Sequence, residues 1–157
     1  MNEPLLSICI PTYRMAPFLD ALLASIANQC SGPVQTALEI VVCDNASPDD
    51  TADVVARYRD RIGQLVYHRH EDNIGPDRNF LAAVAHASGK WCWLMGSDDV
   101  VEPGAIDRLL RLLDGDPDWC GLSLNRNARS FDLATIMPED AFPAFRDDTL
   151  LHGGERV

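Results

Sequence analysis

The segment LEIVVCDNASPDDTADVVARY, residues 38–58, decides the fold class. It begins with a mostly apolar run, Leu38–Cys43, which is typical of a strand covered on both faces. After a polar turn, the apolar residues take the spacing of an amphipathic helix, with Val54, Val55 and Tyr58 on one side. A buried strand that leads at once into a helix predicts an α/β fold with a parallel sheet.

The turn inside this segment has two interpretations. Ser47, Pro48 and Asp50 have the order of a helix N-cap, a proline at the first helical position and a carboxylate three residues after the cap. We therefore predict that Ser47 and Asp50 act as caps only. Asp44 directly follows the strand, where a buried carboxylate is costly without a partner. Its partner is either a nearby backbone amide or the N–H of a ligand such as a nucleobase.

The same alternation of strand and helix continues on both sides of this segment. It predicts an α/β, Rossmann-like fold, with a mostly parallel sheet and helices on both faces. The predicted strands are Leu5–Ile10, Leu38–Cys43, Leu65–His68, Trp91–Met95 and Trp119–Leu124. The other predicted helices turn the following residues inward: Phe18, Leu22 and Ile26; Phe80 and Val84; and Ile106, Leu109, Leu110 and Leu113.

Composition and charge exclude several classes of protein. The chain has 157 residues, 46% of them apolar and 24% charged, which is the composition of a globular domain rather than a disordered chain. A net charge of −11 without a basic stripe argues against binding to nucleic acid. No apolar run is long enough to be a transmembrane segment. We therefore expect a cytoplasmic protein, or one associated peripherally with the membrane surface at its inner face.

Polar, turn-forming residues follow four successive predicted strands. Ligands of open parallel sheets bind beyond the carboxyl ends of the strands, so these residues are expected to converge on one site. The four segments are Pro11-Thr12-Tyr13-Arg14, Asp44-Asn45-Ala46-Ser47, Asn73-Ile74-Gly75-Pro76-Asp77-Arg78-Asn79 and Gly96-Ser97-Asp98-Asp99.

The last of these segments is either a solvated turn or a metal site. Asp98 and Asp99 would repel each other unless a cation lies between them. Oxygen ligands without His or Cys favour Mg²⁺ or Mn²⁺ over zinc. A cation would also allow an acidic protein to hold a pyrophosphate.

Together, the four segments resemble family 2 glycosyltransferases of the GT-A type. The branch they are most similar to is the abequosyltransferase-like one, whose members build bacterial surface polysaccharides. The resemblance runs from about Leu5 to Pro103, with the segments in the family's order and spacing. Ser97 stands where the family's DXD motif has its first aspartate.

The resemblance implies a nucleotide-sugar donor, a saccharide or lipid-linked acceptor, and a Mg²⁺ or Mn²⁺ ion. It implies Asp99 and Asp98 as metal ligands, Asp99 being the more direct one. It assigns donor binding to Pro11, Thr12, Tyr13, Arg14, Asp44, Asn45, Asp77, Arg78, Asn79, Ser97 and Asp98.

The region after the fourth strand matches less well. We expect residues 1–124 to form the donor-binding domain and residues 125–157 to be the irregular start of an acceptor-side region. In the family, the general base comes from an acceptor-binding half beyond the DXD motif, and the chain is expected to end before this half is complete. None of the later acids lies in a recognisable motif, so no catalytic base is assigned.

Three hypotheses follow from these patterns. The first is a metal-dependent, inverting glycosyltransferase. The second is a nucleotide-binding module without turnover. The third, an unrelated doubly wound enzyme, is disfavoured because no GxGxxG follows the first strand and no Walker A sequence is present.

Overall fold

Four parallel strands form the sheet of the computed structural model, which describes residues 3–115, 120–122 and 124. The strands are β1 (Leu6–Thr12), β2 (Leu38–Asp44), β3 (Leu65–Arg69) and β4 (Trp91–Leu94). Their order across the sheet is β3-β2-β1-β4. The chain builds the sheet from β1 to β3 and then returns to add β4 on the other side of β1. This reversal creates a topological switch point between β1 and β4.

Helices connect and follow these strands. They are α1 (Ala16–Ala27), α2 (Pro33–Ala37), α3 (Thr51–Tyr58), α4 (Pro76–Ala85) and α5 (Ala105–Asp114). A proline in the first turn of α1, α2 and α4 fixes a helical φ where no N–H partner is required. The short α2 was not predicted from the sequence. The mostly parallel α/β architecture with interleaved helices is confirmed.

The two faces of the sheet differ in size and composition. The larger core packs the aliphatic side chains of β1 and β2 against α1, α3 and α5, and it includes the four predicted α5 residues. On the opposite face, Cys9 and Cys43 contact Ala83 of α4. Because side chains alternate along a strand, Thr12 and Asp44 lie on the face of the larger core, in line with Ile10 and Val42.

Helix α4 corrects one prediction. Phe80 and Val84 were expected to point inward, but they are 43% and 39% exposed. The buried residues of α4 are Asn79 and Ala83. The strands beneath this helix present small cysteine side chains. The side of the helix that carries Asn79 and Ala83 therefore packs against the sheet.

The start of α3 corrects a second prediction. Ser47 does not cap the helix, which begins at Thr51, and Asp50 occupies the N-cap position but makes no side-chain capping bond. Asp49 instead accepts hydrogen bonds from the Thr51 hydroxyl, at 2.6 Å, and from the backbone N–H of Ala16, at 3.1 Å. The Ser47 hydroxyl accepts a hydrogen bond from the backbone N–H of Arg14. Contacts between neighbouring strand-end loops replace the local cap that the sequence suggested.

The chain divides into two compact units, Met1–Asp116 and Pro117–Val157. Of the predicted fifth strand, only 120–122 and 124 are described, and these residues are not in a strand. The region 125–157 lies outside the described residues, so the domain boundary at 124 stays a prediction. Within the described part of the chain, no helix is both long enough and apolar enough to cross a bilayer.

Candidate functional site

Three strand ends place polar side chains in one row on the face of the larger core. Thr12 of β1 pairs in register with Asp44 of β2, and Asp44 pairs with Arg69 of β3. The row is at the carboxyl edge of the sheet, beside the switch point between β1 and β4. In folds of this kind, that edge is where ligands bind.

Asp44 is completely buried in the middle of this row. Its Oδ1 accepts a hydrogen bond from the Ser47 N–H at 2.9 Å, and its Oδ2 accepts one from the Tyr67 hydroxyl at 2.7 Å. Burial and this hydrogen bond to Asp44 raise the pKa of Tyr67 far above its ordinary value, so Tyr67 remains a neutral donor. The carboxylate therefore has partners within the protein on both oxygens.

Thr12 contrasts with Asp44. Its side chain is buried, yet its Oγ1 has no hydrogen-bond partner among the residues that the structure describes. Buried hydroxyl groups are rarely left without a partner, because the unsatisfied group loses its hydration. A buried hydroxyl of this kind at a ligand-binding edge fits a site that is completed by a bound molecule.

Asn45 and Asn79 hold the neighbouring loops in place. The Asn45 amide donates to Asn73 Oδ1 at 3.0 Å, and its oxygen accepts the N–H of Ile74 at 2.8 Å. Asn79 is buried and donates to the carbonyl oxygen of Cys43 at 3.0 Å. Asn79 was predicted to approach the donor, but its amide ties α4 to the sheet. Its approach to a donor stays a prediction.

The loop after β1 has an unusual backbone. Arg14 has a φ of 57° and Ala46, in the adjacent loop, has a φ of 61°. Residues other than glycine rarely occupy this left-handed region, and such strain concentrates at functional sites. The hydrogen bond from the Arg14 N–H to Ser47 Oγ, at 3.0 Å, joins the two strained loops. The side chains of Tyr13 and Arg14 are exposed at this edge.

The loop after β4 brings two carboxylates together. The Gly96 N–H donates to Asp99 Oδ2 at 3.2 Å, and the Asp99 N–H donates to the Gly96 carbonyl oxygen at 3.2 Å. A Cβ atom at Gly96 would lie 2.7 Å from Asp98 Oδ1 and 3.1 Å from Asp99 Oδ2. Glycine at this position lets both carboxylates lie close to the backbone; both acids are exposed, while Ser97 beside them is buried.

This pair of acids fits a hard divalent cation. Within residues 3–115, 120–122 and 124, no group of three His, Cys, Asp or Glu side chains gathers into a metal site. Mg²⁺ commonly binds proteins through one or two carboxylates and takes its other ligands from phosphates and water. Asp98 and Asp99 offer that set of oxygens, so they suit a cation shared with a phosphorylated ligand.

The structure brings most of the predicted residues to one edge. Thr12, Tyr13, Arg14, Asp44, Asn45, Ser97, Asp98 and Asp99 lie at the strand ends or in the loops that follow them, and Asp77 and Arg78 are exposed in the first turn of α4. Pro11 is buried within β1. Sequence reasoning missed Tyr67 and Arg69. Arg69 directly follows the predicted strand Leu65–His68, but only the register of β2 with β3 shows that it lies level with Asp44.

Comparisons with known proteins agree with this arrangement. The profile of glycosyl transferase family 2 matches residues 7–139. Abequosyltransferase RfbV of Salmonella typhimurium is 41% identical over 115 residues, which cover 73% of this chain and 34% of that protein. The chain therefore spans about a third of the length of this relative.

Solved structures share the fold. The chain is similar to TarS 1–349 of Staphylococcus aureus, with a TM-score of 0.64, 29% identity, and coverage of 70% of this chain and 32% of that chain. TarS has been solved in complex with UDP and with UDP-GlcNAc. The mannosyltransferase PcManGT of Pyrobaculum calidifontis, solved with GDP-Man and Mn²⁺, shows the same fold at a TM-score of 0.57 and 24% identity, covering 74% of this chain and 32% of that chain.

These matches confirm the GT-A fold and the predicted family. The family profile covers most of the chain, including all four strands except the first residue of β1. This chain belongs to glycosyl transferase family 2.

Proposed function

We propose that this chain is the donor-binding part of a metal-dependent, inverting glycosyltransferase. The enzyme would transfer a sugar from a nucleotide-sugar donor to a saccharide or lipid-linked acceptor in surface polysaccharide synthesis. It would act in the cytoplasm or at the inner face of the membrane. The names of the relatives support this proposal, since RfbV is an abequosyltransferase and TarS is a poly(ribitol-phosphate) β-N-acetylglucosaminyltransferase.

One observation carries the proposal: the polar loops of four parallel strands meet at the switch-point edge, where the buried Thr12 hydroxyl lacks a partner in the described structure. TarS binds UDP and UDP-GlcNAc, so a uridine nucleotide is one ligand that this fold accommodates. In this chain, the loop of Tyr13 and Arg14 would hold the nucleoside. Asp44, predicted to accept a hydrogen bond from the base, is fully buried and would act by holding Tyr67 and the loop of Ser47 beneath the base. Arg78 would approach the pyrophosphate.

Asp98 and Asp99 would hold the Mg²⁺ or Mn²⁺ ion together with the donor phosphates. When bound, such a cation neutralises the departing nucleoside diphosphate and acts as a Lewis acid on the leaving group. The protein would contribute two carboxylates that lie close to Gly96, where a Cβ atom would crowd them. A net charge of −11 makes this counter-charge necessary, since phosphates approaching bare acids would be repelled.

The proposal is tested by calorimetric titration of the protein with UDP, CDP, GDP and dTDP, each with and without Mn²⁺. We expect one nucleotide to bind best and Mn²⁺ to tighten its binding. Asp99→Asn should abolish the effect of Mn²⁺, because an amide is a poorer ligand for a hard cation. The matched control is Asp107→Asn, which neutralises an exposed acid in the α5 ion pair with Arg111 and should leave the Mn²⁺ effect intact.

The outcomes separate the parts of the proposal. Equal nucleotide binding with and without Mn²⁺ refutes the metal assignment. No binding of any nucleotide refutes the donor site. Release or transfer of sugar from a bound nucleotide-sugar distinguishes an enzyme from a nucleotide-binding module without turnover.

A further inference from the structure

Arg69 lies beside the proposed donor site but has no role in the donor binding described above. It ends β3 and pairs in register with Asp44, so it lies at the outer end of the row that continues to Thr12. Arg69 ends β3 and the Asp98–Asp99 pair follows β4, and these are the two outermost strands of the sheet. Three strand spacings separate these strands, which is about 14 Å. A nucleotide whose phosphates lie beside the acids would therefore extend its base across β1 and β2 toward Arg69.

The guanidinium of Arg69 is anchored but only partly used. Its Nη2 donates to the carbonyl oxygen of Ser47 at 2.8 Å, and its Nη1 lies 3.9 Å from Asp44 Oδ2. The guanidinium also interacts with the Tyr67 hydroxyl. Arginine carries five N–H donors in a rigid fork, so these contacts do not use all of them. The side chain of Arg69 is 44% exposed, whereas that of Asp44 is fully buried.

The difference in exposure determines which group a ligand meets. Both oxygens of Asp44 already accept hydrogen bonds, from Ser47 and from Tyr67. The partly exposed guanidinium of Arg69 is next to this carboxylate and is anchored by the Ser47 carbonyl. An anchored arginine of this kind discriminates between ligands by the position of their acceptor atoms.

We propose that Arg69 is a specificity-determining residue that donates hydrogen bonds to acceptor atoms on the edge of the donor's nucleobase. This inference rests on the proposed function, because it needs a nucleotide at this edge. It assigns selection of the base to β3 and retention of the phosphates to the loop after β4. A site built to hydrogen-bond one base rejects the others because its polar groups would then lack partners.

The test compares ligands with and without a base. The four nucleoside diphosphates and inorganic pyrophosphate are titrated with Mn²⁺ into the unaltered chain, Arg69→Gln and Arg69→Lys. For both variants we expect affinity for the preferred nucleotide to fall at least about tenfold, which reduces the difference in affinity between it and the other three nucleotides. Affinity for pyrophosphate should stay within about twofold. Lysine keeps the charge but loses the fork, so a loss of selectivity in both variants points to geometry rather than charge.

Arg111→Gln is the matched control. Arg111 is an exposed arginine that forms an ion pair with Asp107 on α5, and it does not belong to the strand-end loops of the proposed site. It should leave all five affinities unchanged. An unchanged base preference in both Arg69 variants overturns the inference and leaves the proposed function intact. An equal loss for pyrophosphate and nucleotides also overturns it, because Arg69 would then act on the phosphates or on the structure. If the unaltered chain binds no nucleotide, the proposed function fails and the inference fails with it.

Discussion

The two ends of strand β2 each carry a buried carboxylate. They differ in whether the polar groups around that carboxylate all have hydrogen-bond partners within the chain. Glu39, near the amino end, is 5% exposed, and Asp44, at the carboxyl end, is fully buried. Glu39 accepts hydrogen bonds from the Ser7 hydroxyl at 2.5 Å, from the Ser88 N–H at 2.8 Å and from the Ser88 hydroxyl at 2.7 Å. The Ser7 hydroxyl in turn accepts the Gly89 N–H at 2.8 Å. Every polar side chain of this network has a partner within the chain.

At the carboxyl end of β2, the hydrogen bonding of the buried polar groups is less complete. Asp44 is satisfied, but the buried Thr12 hydroxyl next to it has no partner in the described structure, and the adjoining loops contain two residues with positive φ. Fully satisfied polar networks rigidify a fold, and backbone strain concentrates where ligands bind. The buried Trp91 indole N–H, at the amino end of β4, also lacks a partner in the described structure, so the strained backbone is the sharper difference between the two ends. The comparison therefore indicates that the Glu39 network serves stability and that the Asp44 row serves binding.

Loss of the Glu39 carboxylate should produce the largest effect on stability. Glu39→Ala would leave the buried Ser7 hydroxyl without its acceptor and would also remove the charged acceptor of the exposed Ser88, and we expect the free energy of unfolding to fall by about 3 kcal/mol. Nucleotide affinity of the folded variant should stay within about twofold of the original. Urea denaturation and calorimetry measure the two quantities. A loss below about 1 kcal/mol would show that the network contributes little to stability.

Gly89→Ala should have the next largest effect. A Cβ atom at this position would lie 2.7 Å from Ser7 Oγ and 2.9 Å from the Ser7 backbone nitrogen, and a backbone atom in a sheet cannot move away cheaply. We expect a loss of about 2 kcal/mol in urea denaturation. Gly115→Ala is the control, because its Cβ would meet nothing nearer than 3.9 Å and its φ is −67°. Equal stability of the two variants would contradict the close approach at Gly89.

Ser47→Ala probes the carboxyl end and should act on binding. It removes the acceptor for the Arg14 N–H and so releases the loop after β1. We expect nucleotide affinity to fall about fivefold, equivalent to about 1 kcal/mol, with a stability loss of similar size. Calorimetry and urea denaturation of the same sample measure both. A loss of stability with unchanged affinity would restore the view that Ser47 has only a structural role.

Acid should have the smallest effect, and Glu39 at the amino end should account for part of it. Burial alone would raise the pKa of Glu39, but the hydrogen bonds from Ser7 and from the N–H and hydroxyl of Ser88 outweigh burial and hold this pKa below its ordinary value of 4.5. A lowered pKa in the folded state means that the stabilisation is fully present above that ordinary value and is lost as the pH falls through the folded pKa.

Glu39→Gln removes this titration, so its free energy of unfolding should decline less steeply than that of the original chain as the pH falls below 4.5. Urea denaturation at a series of acidic pH values measures the two slopes. Parallel slopes would show that Glu39 makes no contribution to acid sensitivity.

The sequence predicted those features that depend on local pattern. Strand ends followed by polar residues located Thr12, Asp44 and the Asp98–Asp99 pair at one edge, because parallel strands share the direction of their carboxyl ends. The four-residue stripe of α5 predicted its buried side, because the opposing surface is a large aliphatic core.

The features that depend on neighbours in space could not be predicted in this way. Ser47 has the local pattern of a cap, but the adjacent β1 loop supplies its actual partner. Phe80 and Val84 have helical spacing, yet the small cysteines under α4 favour the burial of Ala83. Tyr67 and Arg69 lie in a strand with no motif, and only the register between β2 and β3 brings them to Asp44.

Paramagnetic broadening by Mn²⁺ tests most directly whether ligand binding takes place at the carboxyl end of the sheet and not at its amino end. In an NMR spectrum of the ¹⁵N-labelled chain with its preferred nucleoside diphosphate, substoichiometric Mn²⁺ should broaden the amide signals of residues 96–99 first and those of 12–14 and 44–47 next. The signals of Ser7, Ser88 and Gly89, at the opposite edge of the sheet, should stay sharp. Equal broadening at both edges, or broadening that leaves residues 96–99 untouched, would contradict a cation-assisted donor site at the carboxyl end.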